Sequence, residues 1–421
     1  MDKFIIEGGR KLEGEVTVSG SKNAALPIIS SCLLAEGKSL LHNIPDVKDV
    51  QTMIKILNSM GVKTSFRKNT LEIDPSGINR FTAPYEFVST MRGSVCLLGP
   101  LVSKYGKAVF SMPGGCVIGS RPIDLHIKGL RKLGADINQQ DGNIVSSSGR
   151  LEGSTVFLGG NFGSSVLATA NIMMAATLAK GETCIESAAC EPEIVDLARM
   201  LKKMGAKIYG EGSHFIRIEG VRKLKGVEYG IIPDRIEACT YVLAAFLTRG
   251  NVGIRGVVPE HVFSFLDVLG DAGISMDIKN DTVWTRSAPG WKAVDITTLP
   301  FPGFPTDLQA QTMTFLAMAD GVSVITEKVF PERFIHVGEL NRLGASISLD
   351  GARAIIKGVD RLSGARVMAS DLRASAALVL AGLVAEGRTE VSRIYHLDRG
   401  YERFEGKLRN LGAVIERVNE K

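Results

Sequence analysis

The stretch FSMPGGCVIGSRPIDLH (residues 110–126) sets a thiol, Cys116, five residues before a cation, Arg121. Pro113, Gly114, Gly115, Gly119 and Pro122 frame the pair, and such residues make exposed turns. A cysteine kept to fill a core sits among apolar neighbours, whereas a thiol beside a guanidinium ionises more readily to the reactive thiolate. On this stretch alone an incidental loop cysteine is the simpler reading, and a reactive thiol is the chemical alternative. Further candidates are cations at expected helix starts: Lys22 in SGSKNAALP, Arg92 in STMRGSV and Arg373 in ASDLRASAAL. Ser21, Ser164, Ser165, Thr306, Asp307, Ser370 and Asp371 occupy similar places, but serine, threonine and aspartate are ordinary N-caps. A lysine or arginine is not a cap, and it opposes the helix dipole unless an anion lies between them.

Arg121, Arg333 (FPERFIHVGEL) and Arg399 (HLDRGYERF) extend this set. Gathered in one cleft between two domains, such cations would suit a small substrate carrying several negative charges. Arginine's planar fork grips carboxylate or phosphate at two points, and lysine acts as a point charge. A lone arginine is more often a solvated surface charge, and the spacing does not name a substrate.

The elements that must position these groups come from a repeat. A helix closing in Met/Leu-Gly-Ala/Val, or in the variant Ala-Gly-Ile, and followed by a strand recurs at 56–66, 129–138, 200–209, 267–276, 339–348 and 407–416. The marks lie about 70 residues apart, the size of a small α/β unit rather than a solenoid repeat. The glycine predicts the helix C-cap. A second phrase recurs too: small-residue helices such as ANIMMAATLAKG and ALVLAGLVAEG are apolar almost all round. Helices of that kind are buried on every side, which predicts helices inside and sheets outside. The expected fold is α/β: a two-domain inside-out barrel of six βαβαββ-like repeats, three per domain. The seam is expected near 229–233 and 19–22. This gives one domain from 1–21 plus 233–421, completed by the N-terminal strand, and an inserted domain from 22–232 that carries the Cys116 loop.

With 421 residues, 45% apolar and 23% charged, the chain reads as an ordinary globular protein. A net charge of +5, without basic blocks, argues against nucleic acid as partner. The charged N-terminus reads as no signal peptide, and the longest apolar stretch, 374–385, is too short to span a bilayer. The six cysteines include no CxxC pair, so neither a zinc ribbon nor a disulfide framework is expected. Cys32, Cys96, Cys184 and Cys239 are expected to fill the core, and a reducing cytoplasm is the expected location.

Taken together, GEVTVSGSKNAALPI, PYEFVSTMRGSV, PGGCVIGSRPIDLH, EPEIVDLA, PDRIEA, FPTDLQAQ, VFPERFIHV, DLRASAALVLAG and RIYHLDRGYE resemble the enolpyruvyl transferase family. The resemblance is to the branch acting on UDP-N-acetylglucosamine, and it runs from residue 1 to about 418. It implies transfer of the enolpyruvyl group of phosphoenolpyruvate to the sugar 3-hydroxyl, through a tetrahedral intermediate and with release of phosphate. In that family this is the first committed step of peptidoglycan synthesis, and it serves cell-wall biogenesis, cell shape and division. It proceeds without a metal or other cofactor.

By position, Cys116 matches the loop cysteine that protonates phosphoenolpyruvate, can form a covalent adduct with it, and is the target of fosfomycin. Lys22, Arg121 and Arg399 match the clamp on the phosphate. Arg333 and Arg373 match groups around the carboxylate, and Asp307 matches the carboxylate at the sugar 3-hydroxyl. Asn23 belongs to both substrate sites, and Val329 to the sugar contacts. Arg92, Arg121, Pro122, Ile123, Asp124 and Leu125, with Gly163, Ser164, Ser165 and Val166, match the nucleotide site. Glu191 and Asp371 lie in family motifs in supporting roles, and His126 is read as structural. Two departures stand out: Leu167 replaces a usual glycine beside the nucleotide contacts, and Cys190 replaces a basic or small residue. Two alternatives remain open: the sister transferase acting on shikimate 3-phosphate, and an idle paralogue that senses the sugar nucleotide.

Overall fold

A computed structural model of the chain describes residues 2–111, 114, 122–161 and 163–419; Cys116 and Arg121 lie outside that range. The described residues divide into two compact units. Unit one takes residues 2–19 and 233–419, and unit two takes the remainder.

The repeat mark shows what it does locally. At all six positions (Gly61, Gly134, Gly205, Gly273, Gly344 and Gly412) the glycine has φ between +85° and +112°. The residue after each glycine donates its N–H back to the carbonyl of a buried leucine: Leu57, Leu130, Leu201, Leu269, Leu340 or Leu408. These bonds measure 2.9–3.1 Å. This is the 6→1 closure of a Schellman end, which needs a left-handed residue, and glycine takes that conformation without steric penalty.

Each mark feeds a sheet, and the six sheets share one pairing pattern. In unit one, Ile296–Thr298 runs parallel to Val322–Glu327; the latter pairs antiparallel with Arg353–Lys357, which pairs antiparallel with Ser346–Asp350. The other two sheets of unit one each borrow an N-terminal strand. Asp2–Glu7 lies between Arg388–Ser392 and Val414–Asn419, and Glu13–Thr17 runs parallel to Asn251–Arg255. Unit two repeats the pattern three times. In one of its sheets three strands are joined by the single parallel bridge Thr82↔Val109 in place of a fourth strand.

Inside each unit lie the apolar helices: Arg235–Leu247, Gln309–Leu316 and Leu372–Val384 in unit one, and Lys22–Ser31, Leu98–Tyr105 and Val166–Ala176 in unit two. The unit-one trio packs mutually and is buried almost throughout. Small and apolar residues dominate most of them, as protein on every side requires, while Gln309–Leu316 also buries Gln309, Gln311, Thr312 and Thr314. Where the N-terminal segment joins unit one, Ser19 N donates to Glu237 Oε2 at 2.9 Å. Lys407 Nζ reaches Glu237 Oε1 at 2.6 Å and Ser19 Oγ at 2.7 Å.

Cys32, Cys96 and Cys239 fill the core as expected. Cys184 does not. On the strand Glu182–Glu186 the alternation turns Thr183 and Ile185 inward, which leaves Cys184 half-exposed on the opposite face. No helix among the described residues is long and apolar enough to cross a membrane.

Candidate active site

In unit one the sequence candidates Asp307, Arg333 and Arg373 come together. Asp307 sits in the 3-10 turn Thr306–Leu308 that leads into an inner helix, and Arg373 is the second residue of the helix Leu372–Val384. Arg333 Nη1 donates to Asp307 Oδ1 at 2.9 Å. Arg373 donates to Oδ2 through Nη2 at 2.9 Å and through Nε at 3.2 Å. Arg373 and Arg333 are 2% and 5% exposed, while the Asp307 side chain is 29% exposed. Two buried cations therefore converge on one carboxylate that solvent reaches. Burial works against the charge on Arg373, yet Asp307 close by holds its pKa above the ordinary value. Arg373 Nη1 is buried and makes no hydrogen bond among the described residues, and its guanidinium lies 5.3 Å from the Tyr401 ring centre.

The surroundings hold these groups in place. Asp371 caps the Leu372–Val384 helix: its Oδ1 accepts from Arg373 N at 2.9 Å and from Ala374 N at 3.1 Å. That is the ordinary capping role of a helix-start aspartate. Tyr401 OH, under Arg373, is fixed by Thr240 Oγ1 at 2.9 Å and Gln311 Nε2 at 3.1 Å. Burial first, and the Arg333 charge with it, push the His336 imidazole well below its usual pKa despite the opposing pull of Asp371. Arg399 ends the 3-10 segment Ile394–Arg399, and after burial its charge is the next cause lowering the pKa of His396. Val329 lies just past the strand Val322–Glu327 and donates its N–H to Glu327 Oε1 at 2.8 Å.

Unit two holds the other candidates. Ser21 caps the helix Lys22–Ser31 through Ala24 N at 3.3 Å. Lys22, its first residue, meets an anion of this chain, Asp49, with Nζ–Oδ2 at 3.4 Å. Asn23 is half-buried beside it. Arg92 opens a 3-10 segment rather than an α-helix, and its Nη2 donates to Pro122 O at 2.9 Å. That bond brings Arg92 to the start of the helix Asp124–Lys132, where Ile123 is buried, Leu125 half-buried and Asp124 exposed. Gly163 and Ser164 pair with Gly160 and Gly159, and Ser165 caps the helix that Val166 begins. Leu167 packs half-buried on the core of unit two. His126 is fully enclosed beside Asn171 (Nδ1···Nδ2 2.8 Å), and burial followed by the Arg92 charge pushes its pKa down to about 3. Its place is structural, as the sequence suggested. Cys190 is buried with its Sγ 3.4 Å from His214 Nδ1, and burial then Glu191 raise its pKa, so the thiol stays protonated.

Sequence reasoning missed Glu327. It is 1% exposed and accepts hydrogen bonds from Thr298 Oγ1 (2.6 Å), Thr306 Oγ1 (2.9 Å), Val329 N and Phe330 N. A lone Thr-Glu at a strand end carries no local signal. Only the parallel register that sets Thr298 opposite Glu327 reveals it.

The family model for EPSP synthase (3-phosphoshikimate 1-carboxyvinyltransferase) matches residues 6–408. Among curated relatives, the UDP-N-acetylglucosamine 1-carboxyvinyltransferase of Methylacidiphilum infernorum (isolate V4) is 52% identical over 421 residues, covering 100% of both chains. That of Myxococcus xanthus (strain DK1622) is also 52% identical over 99% of both. The chain belongs to the UDP-N-acetylglucosamine 1-carboxyvinyltransferase family. The crystal structure of the enolpyruvyl transferase NikO from Streptomyces tendae matches with a TM-score of 0.90 at 25% identity, covering 100% of this chain and 99% of that one. The EPSP synthase of Acinetobacter baumannii shares the fold, with a TM-score of 0.78 at 19% identity and full coverage of both chains. The resemblance carried by the sequence motifs therefore holds over the whole chain.

Proposed function

We propose that this chain transfers the enolpyruvyl group of phosphoenolpyruvate to the 3-hydroxyl of UDP-N-acetylglucosamine and releases phosphate. The observation that carries the acceptor is the 52% identity, end to end, to enzymes of that name. The curated relatives at 49–52% identity carry that name, which leaves shikimate 3-phosphate as the disfavoured acceptor. In the proposed reaction the sugar oxygen adds to C2 of phosphoenolpyruvate, its proton passes to a base, and C3 gains a proton from Cys116. The tetrahedral ketal then loses a C3 proton and expels phosphate, which restores the double bond.

Asp307 is the assigned base. The support for it is a solvent-reached carboxylate beside which Arg373 and Arg333 are already held. An incoming carboxylate offers those guanidiniums a second acceptor, and any bond that moves to it releases an Asp307 oxygen for the hydroxyl proton. Lys22, Arg121 and Arg399 take the phosphate, where charge must be stabilised as the group leaves. Asn23, Arg92, residues 121–125 and 163–166, Asp307 and Val329 are assigned to UDP-N-acetylglucosamine, with Asn23 reaching phosphoenolpyruvate as well. An intact Asp307–arginine cluster also speaks against an idle sensor, because nucleotide binding alone does not call for it. We place the reaction in the cytoplasm, in peptidoglycan synthesis and so in cell shape and division, with Cys116 as the site of fosfomycin attack.

The test is product identification by mass spectrometry and proton NMR after incubation with both substrates. The 3-O-enolpyruvyl ether of the sugar nucleotide is expected. Its absence, with substrates intact, would overturn the proposal.

A further inference from the structure

Glu327 is a buried carboxylate that the reaction as proposed does not use. The hydrogen bonds it accepts lead, on one side, towards Asp307 and, on the other, to the turn that carries Val329, both assigned to the sugar. Its Oε2 takes the Thr306 hydroxyl at 2.9 Å, and the Thr306 oxygen in turn takes Arg333 Nη1 at 2.9 Å. The same Nη1 reaches Asp307 Oδ1 at 2.9 Å. Its Oε1 takes Val329 N at 2.8 Å, Phe330 N at 2.9 Å and the Thr298 hydroxyl at 2.6 Å; that hydroxyl accepts from Lys328 N at 3.0 Å.

Hydrogen-bond direction makes this more than packing. Both threonine hydroxyls donate to the carboxylate. Each hydroxyl has one proton, which leaves only lone pairs for its second partner. For Thr306 that partner is a guanidinium, and for Thr298 it is a backbone N–H. The carboxylate thereby fixes the polarity of two branches. One runs through Thr306 and Arg333 to Asp307, and the other runs directly and through Thr298 to the 328–330 turn.

We infer that Glu327 is a positioning residue that sets the Asp307 carboxylate through Thr306–Arg333 and the Val329 turn through its own second oxygen. The inference rests on the roles proposed above for Asp307 and Val329. Because the two branches serve different groups, they should separate in kinetics. Orientation of a reacting group enters kcat, whereas a contact equal in ground and transition states enters KM.

The experiment compares Thr306→Val, Thr306→Ser, Thr298→Val and Glu327→Gln with the parent enzyme, using phosphate release under varied UDP-N-acetylglucosamine. Thr306→Val should lower kcat about tenfold or more with KM for the sugar nucleotide little changed. Thr306→Ser, which restores the hydroxyl, should return to within about threefold of the parent. Thr298→Val should raise that KM with kcat kept, and Glu327→Gln should disturb both. Equal kcat and KM effects in the two valine variants, or no rescue by serine, would overturn the inference. If Glu327→Gln alone folds well enough to assay, unchanged kcat and KM in it would do the same. A parent enzyme that forms no product would instead strike the functional reading, so the two failures are distinguishable.

Discussion

Replacing Asp307 by alanine should destabilise unit one more than replacing its deepest partner, Arg373, by methionine, although Asp307 is the most exposed member of the triad. Asp307→Ala removes three charge-assisted hydrogen bonds and leaves two guanidiniums, 2% and 5% exposed, without the carboxylate they share. Breaking a buried ion pair from one side costs about 3–5 kcal/mol, and the 29% exposure of the Asp307 side chain points to the lower end. Arg373→Met instead fills the space with an apolar chain, removes a buried Nη1 that makes no hydrogen bond among the described residues, and leaves Asp307 paired to Arg333. Its expected cost is about 1–2 kcal/mol. For a unit of this size the alanine variant should melt roughly 6–12 °C below the parent. The chain's two tryptophans, Trp284 and Trp291, both lie in unit one, and Trp291 stacks on Phe315 at 4.4 Å. Urea or thermal unfolding followed by tryptophan fluorescence therefore reads this unit selectively. Added phosphate should recover part of the loss in Asp307→Ala by placing an anion between the arginines, and do little for the parent. An Asp307→Ala loss below about 1 kcal/mol, or one smaller than that of Arg373→Met, would refute the reasoning.

Gly273→Ala at a helix-end cap, where φ is +85° and a new Cβ meets nothing within 4 Å, should cost about 1 kcal/mol by tryptophan-detected unfolding. Gly61→Ala at the equivalent cap in unit two should cost more by calorimetry, because its Cβ would lie 2.5 Å from the Gly77 carbonyl oxygen. Lys407→Met should destabilise unit one by about 3–5 kcal/mol at pH 7, since Glu237 loses its cation while buried. Burial already raises the Glu237 pKa against the pull of Lys407. A carboxyl with a raised folded pKa loses stabilisation as pH rises through that value, so the deficit of Lys407→Met should shrink on acidification. Lys22→Met should lower kcat/KM for phosphoenolpyruvate by about 100-fold, with UDP-N-acetylglucosamine binding retained by calorimetry.

The fold was legible where a local preference is strong. A left-handed helix end strongly favours glycine, so Gly61, Gly134, Gly205, Gly273, Gly344 and Gly412 mark six repeats in the bare chain. All-round apolar helices likewise announced their own burial. What stayed hidden depends on pairing between distant segments. Thr298 faces Glu327 only through parallel strand register, and Arg333 and Arg373 reach Asp307 across 26 and 66 residues of chain. Lys22 looked like a cation awaiting an external anion, yet the chain itself supplies Asp49. Cys184 misled because composition outweighed the two-residue alternation that turns it outward.

The central claim is the acceptor, and phosphate release from phosphoenolpyruvate tests it most directly, with UDP-N-acetylglucosamine and shikimate 3-phosphate offered separately. Release with the sugar nucleotide alone is predicted. Release with shikimate 3-phosphate, or none with either acceptor while UDP-N-acetylglucosamine still binds, would contradict it.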